Sequence, residues 1–149
     1  MSLKILAKSW LPVFVWMAFI TIFSGDLMSS AHTSRFLIPF LRWLKPDITG
    51  ATLLLIHGLV RKGAHLFVYA VLAFLLTRAL KNGTQLRQSV SLVAIAWLGS
   101  TMFAVLDEFH QFFVPSRSAA VGDVVIDSIG ALLGAMIYWL FRGRIIARP

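Results

Sequence analysis

The chain contains no cysteine. That excludes a disulfide, a thiolate metal site and a thiol nucleophile, and leaves the compartment open. Charge is scarce as well: 13% of the 149 residues are charged and 58% are apolar, far from the composition of a soluble domain. Acidic residues are the rarest of the charged ones, six against 14 lysines and arginines, for a net charge of +8. In a soluble protein such a surplus would point to nucleic acid. Here the basic residues flank apolar runs, where they act as topology signals and contacts for anionic lipid, so no nucleic-acid partner is expected. Fixed-period repeats and low-complexity segments are absent too.

What the sequence does have is long apolar runs. A hydrocarbon core of ~30 Å takes ~20 helical residues to cross, and four segments qualify, at about 5–23, 61–80, 89–106 and 120–141. They are apolar on all sides, unlike the ~10-residue alternating strands of a membrane barrel. The expected fold is all-α: a polytopic helical membrane protein with four transmembrane helices in one domain over 1–149. For the first run a signal peptide competes, with Lys4 and Lys8 before a short apolar core and Ser29-Ser30-Ala31 as a small-residue site. Pro12, the aromatics and the polar break at Ser24-Gly25-Asp26 favour a retained helix.

Between the first two spans, residues 35–45 (RFLIPFLRWLK) set Phe36, Leu37, Phe40, Leu41 and Leu44 at helical spacing, with Arg35, Arg42 and Lys45 elsewhere on the turn. Too short and too charged to span, this reads as an amphipathic segment lying in the interface, kinked or ended by Pro39 and Pro46. The next apolar stretch, 51–80, would be ~45 Å long as one helix, more than a bilayer core needs. Residues 51–60 are therefore expected to form a separate or protruding helical part.

The basic residues give an orientation. With both termini cytoplasmic, that side holds Lys4, Lys8, Arg78, Lys81, Arg87, Arg142, Arg144 and Arg148, and the other side Arg35, Arg42, Lys45, Arg61, Lys62 and Arg117. All six acids (Asp26, Asp47, Asp107, Glu108, Asp123, Asp127) and all four histidines fall on the outer half. Chemistry is expected to face outward.

Four of the six acids lie in residues 106–134, LDEFHQFFVPSRSAAVGDVVIDSIGALLG. Ionisable groups at or inside the edge of a membrane are expensive and need partners. Helical spacing says which can meet. On the second span Arg61, His65 and Tyr69 follow at steps of four, with Lys62 three before His65. On the third, Ser100, Ala104, Asp107 and Gln111 share a face. On the fourth, Asp123, Asp127, Gly130 and Gly134 share one, the glycines allowing close approach of another helix. None of these faces is stable against lipid, so they are expected to converge.

A purely structural cluster is the plain alternative, with Arg61, Lys62, His65 and Arg117 neutralising Asp107, Glu108, Asp123 and Asp127 and fixing register. One or two pairs would suffice for that, so the number of charges favours function. A metal site from His65, His110, Glu108 and an aspartate has no diagnostic spacing, and neither metal nor cofactor is expected. Ser116 and Ser118 near His110 lack a nucleophile elbow and read as turn and cap residues. Phe112 and Phe113 before Pro115 read as interface anchors.

Arg61-Lys62-x-x-His65-x-x-x-Tyr69 before an apolar span resembles the first signature of the VanZ-like family. Asp107-Glu108-x-His110-Gln111-x-Phe113-Val114-Pro115-x-Arg117, then Asp123-x-x-x-Asp127-x-x-Gly130-x-x-x-Gly134, resembles its second. The serines Ser24, Ser29, Ser30 and Ser34 are similar to that family's serine-rich stretch. Ser116 departs from the usual glycine, which bears on loop shape more than on chemistry. The resemblance implies a small envelope protein of the bacterial cytoplasmic membrane; the founding member is associated with resistance to the glycopeptide teicoplanin.

The expected partner is a membrane lipid, a lipid-linked wall precursor or the glycopeptide. In the first reading Arg61, Lys62 and Arg117, with Tyr69, His110, Gln111 and Asp123, bind an anionic envelope lipid, while His65, Asp107, Glu108 and Asp127 tune the site or move protons. In the second the protein is a membrane-embedded enzyme on a polyprenyl-phosphate-type lipid, with His65 or His110 as general base, a carboxylate as its partner and the arginines clamping phosphate. In the third it is a proton-coupled transporter, for which four spans would require a homo-oligomer.

Overall fold

The computed structural model describes residues 3–25, 30–83, 90–115 and 120–146. Among them every regular element is a helix: α1 (Leu3–Ser24), α2 (Ser30–Leu44), α3 (Gly50–Gly83), α4 (Val90–Phe112) and α5 (Val121–Ile146). Helices α1, α3, α4 and α5 carry segments long and apolar enough to cross a membrane. Helix α2 is amphipathic and sits between the first two of them, as its sequence predicts. Pro39 lies inside α2 and does not end it; the helix stops at Leu44, just before Pro46.

Residues 51–60 are not a separate piece. They belong to the 34-residue helix α3, a rod of ~51 Å. The stretch contains no proline, and its glycines, Gly50 and Gly58, adopt ordinary helical backbone angles, so nothing interrupts the hydrogen-bond ladder. The rod outruns a ~30 Å core, and its N-terminal turns give α2 something to lie against. Helix α4 runs on to Phe112, which puts Asp107, Glu108 and Gln111 on helical geometry.

Helix α3 is the centre of the bundle. It packs against each of the other four helices, most extensively against α5. Contacts fix the directions. Asn82 Nδ2 donates to Ser9 Oγ at 3.3 Å and Trp16 Nε1 to the Val68 carbonyl at 3.0 Å, so α1 runs antiparallel to α3. Helices α3 and α5 run parallel and nearly touch, because a methyl on Gly130 would overlap the Leu66 carbonyl and one on Gly134 the Ala70 carbonyl. Ala73, Ala96, Ala131 and Ala135 form a buried cluster of small side chains beside this contact. With no hydrophobic drive between helices in lipid, such close packing and interhelical hydrogen bonds hold a bundle together. Trp97 Nε1 supplies more of the latter, donating to the Ser128 carbonyl and hydroxyl at 3.1 and 3.0 Å.

The outer surface is apolar, with Phe14, Ile22, Leu98, Met102, Leu133 and Ile137 exposed, as hydrocarbon requires. The polar groups turn inward. Every acid among the described residues lies at the end of the bundle where α1 and α4 finish and α5 begins, called the polar end below.

Candidate functional site

At the polar end the α3–α5 seam changes from glycine contact to paired polar side chains. Arg61 donates to Asp123 Oδ2 at 2.8 Å, and one turn deeper His65 Nδ1 meets Asp127 Oδ1 at 3.0 Å. Both pairs join residues 62 apart. Two parallel helices in constant register bring each i, i+4 ladder against the other. Asp123 stands in the first turn of α5, where the helix dipole favours a carboxylate. Asp127 is 1% exposed, and His65 is its hydrogen-bond partner across the seam.

Helix α4 brings two carboxylates with different tasks. Asp107 is buried and accepts from the Ser24 hydroxyl at the end of α1 and from Gln111 Nε2 at 3.1 Å. Tyr69 on α3 approaches the same carboxylate without closing a hydrogen bond of normal geometry. Glu108, the next residue, points another way and accepts the Ala120 amide N–H at the start of α5. That amide is one of the donors a helix N-terminus leaves unsatisfied, so Glu108 joins the end of α4 to the beginning of α5.

A cavity of about 280 Å³ opens among α1, α2, α3 and α4. Phe19, Ile20, Phe23, Val60, Ala64 and Val68 form its apolar walls. Its polar lining consists of Ser24, Thr33, His57, Arg61, His65, Tyr69, Asp107 and Gln111. His57 Nε2 lies 3.5 Å from Ser34 Oγ on α2, at the limit of a hydrogen bond.

Of the residues singled out in the sequence, Arg61, His65, Tyr69, Asp107 and Gln111 meet at this cavity. Asp123 and Asp127 stand behind it as partners of Arg61 and His65. Glu108 faces α5, while Lys62 and His110 are exposed and do not line the cavity. Arg117, with Ser116 and Ser118, lies outside the described residues. Among the described residues no three His, Asp or Glu side chains stand close enough to share a metal ion.

Two cavity residues carried a signal that the spacing argument did not use. His57, Arg61, His65 and Tyr69 continue one ladder in steps of four, so the α3 stripe starts a turn earlier than the Arg61 motif. In the sequence Ser24 reads as part of a polar break; its role as a donor to Asp107 depends on where α1 ends against α4.

Fold and site together define a helical membrane protein with a polar cavity at one end of its bundle. The profile of the VanZ/LLP1 family matches residues 9–142, and the chain belongs to that family. Comparisons with curated proteins and with solved structures each found no match.

Proposed function

We propose that the protein binds an amphiphilic, phosphate-bearing envelope lipid, a membrane phospholipid or a lipid-linked wall precursor, in the cavity between α1, α2, α3 and α4. One observation carries the reading: a single cavity joins an apolar wall suited to a lipid chain with Arg61 flanked by His57 and His65. Arginine binds phosphate through paired donors, and Asp123 holds its side chain in one position. The acid-free basic rim at the opposite end of the bundle supports cytoplasmic termini and an outward-facing cavity in a bacterial cytoplasmic membrane. Withholding or altering a wall precursor there would lower glycopeptide susceptibility. The test is lipid co-purification and native mass spectrometry. Arg61→Gln should reduce bound phospholipid about tenfold, as expected for a lost hydrogen bond to a charged group, and Lys62→Gln should not. Equal lipid loading in wild type and Arg61→Gln would reject the reading.

A second reading, an enzyme acting on that lipid, is favoured by the His65–Asp127 geometry. Asp127 engages Nδ1 at 3.0 Å, while Nε2 has no hydrogen-bond partner among the described residues and its ring lines the cavity. A carboxylate orienting an imidazole in this way is the arrangement of a general base. Turnover assays of purified protein with polyprenyl phosphates and wall precursors, with and without divalent metal, decide it. Absence of product under every condition would remove it.

A further inference from the structure

One group of side chains in the cavity is not explained by an arginine that holds phosphate. Asp107, Gln111 and Tyr69 line it and are 5%, 0% and 1% exposed. The Asp107 carboxylate requires a donor from Gln111, which commits the amide nitrogen and leaves Gln111 Oε1 buried without a partner. The Tyr69 hydroxyl is buried without one as well. Asp107 accepts one hydrogen bond on each oxygen and makes no ion pair among the described residues. Each carboxylate oxygen can accept a second. The cluster therefore offers spare acceptors on Asp107 and Gln111, and beside the Asp107 carboxylate the Tyr69 hydroxyl stands as a donor that closes no hydrogen bond of normal geometry. A hydroxyl, which gives one hydrogen bond and accepts others, matches that set.

Depth says which hydroxyl. Tyr69 lies two turns beyond Arg61 along α3, ~12 Å deeper into the bundle. A lipid whose phosphate meets Arg61 would bring to Tyr69 and Asp107 the part of the molecule on the tail side of the phosphate. Phe19, Ile20 and Val68 then receive the chain.

Resting on the lipid-binding reading above, we infer that Asp107, Gln111 and Tyr69 form a subsite for a free hydroxyl on the tail side of the lipid phosphate. The glycerol hydroxyl of a monoacyl glycerophospholipid and the 3-hydroxyl of a hydroxyacyl chain both have this chemistry. A fully acylated lipid with plain chains offers only ester carbonyls, which donate nothing to Asp107 or to Gln111 Oε1. The subsite would therefore select against the bulk diacyl lipid that surrounds the protein.

The test is competition by native mass spectrometry on the purified full chain. One arm pairs 1-oleoyl lysophosphatidic acid with its 2-deoxy analogue, which differs by the single hydroxyl. A second arm pairs a phosphatidic acid carrying 3-hydroxyacyl chains with its plain-chain counterpart, and separates the two sources. Wild type should prefer the hydroxylated member of at least one pair by about tenfold. Gln111→Met and Tyr69→Phe, close in shape to the native side chains, should each shrink the preference between the members of a pair. Equal binding in both pairs would overturn the subsite while leaving lipid binding intact, with water then satisfying the cluster. Binding of no phospholipid by wild type would overturn lipid binding itself, and the subsite with it. An undiminished preference in both variants would also reject the subsite. Should a variant fail to give monodisperse protein, the wild-type competition decides alone.

Discussion

The two halves of the α3–α5 seam share the same helices and the same parallel register, yet they are held in opposite ways. In the deeper half Gly130 and Gly134 lie on the backbone of Leu66 and Ala70, and only the absence of a side chain permits the contact. In the half toward the polar end Arg61 and His65 reach across to Asp123 and Asp127. The first half fixes a distance that cannot adjust. The second uses that distance to hold polar groups that the lipid proposed above would engage. A site that exchanges partners inside a membrane needs a rigid neighbour, since an ion pair alone would let the helices part when it opens.

The largest effect is expected from Gly134→Ala. The added methyl would meet a backbone carbonyl, which cannot turn aside as a side chain can, so α3 and α5 must separate. Overpacking of this kind costs about 1–3 kcal/mol or more, and the expected outcome is a large fall in thermal midpoint or loss of the monodisperse species on size exclusion. An unchanged midpoint would mean the seam is looser than described. Next comes His65→Leu, which leaves Asp127 buried without its partner. Removing one member of a buried pair costs about 3 kcal/mol, and Asp127→Leu on top of it should recover part of the loss in a double-mutant cycle. No recovery would count against direct pairing.

Smaller effects sharpen the contrast further. Glu108→Ala withdraws the carboxylate from the start of α5 and should cost about 1 kcal/mol, the usual scale for a helix cap. Glu108→Gln, which keeps an acceptor, should recover most of it, as read by denaturant unfolding in detergent. The smallest is Ser128→Ala, which removes the hydroxyl contacts of Trp97 and Thr101. Hydrogen bonds between membrane helices average about 0.6 kcal/mol, and this change should leave lipid binding untouched. A large loss of binding in Ser128→Ala would mean that the α4–α5 face, not the α3–α5 seam, supports the site.

Much of this was legible in the sequence, because membrane helices obey simple constraints. Runs such as 89–106 are long and apolar enough for helices that cross a membrane, and the α2 segment is too charged for one. The ladders of Arg61, His65 and Tyr69 and of Asp123, Asp127, Gly130 and Gly134 are visible as steps of three and four, and their convergence follows from the cost of facing lipid. Helix ends were harder to read. The continuation of α3 through 51–60 and of α4 through Phe112 depends on whether charged residues interrupt a helix or ride on it, and periodicity does not distinguish the two.

The amino-acid sequence by itself determined the class of protein, its helices, and the set of polar groups that must be sheltered from lipid. The physical reason is that hydrocarbon penalises every unpaired polar group, so composition and spacing leave few arrangements open. Only the tertiary structure decided which group pairs with which. Asp107 and Glu108 are neighbours of one chemical type, yet the turn of α4 aims the first into the cavity beside Tyr69 and the second at the end of α5. That divergence of ~100° per residue is written into any helix, but what each direction meets depends on where α1, α3 and α5 stand, and glycine contacts place α5 on α3 while hydrogen bonds tie α1 to it, all between segments distant in the chain.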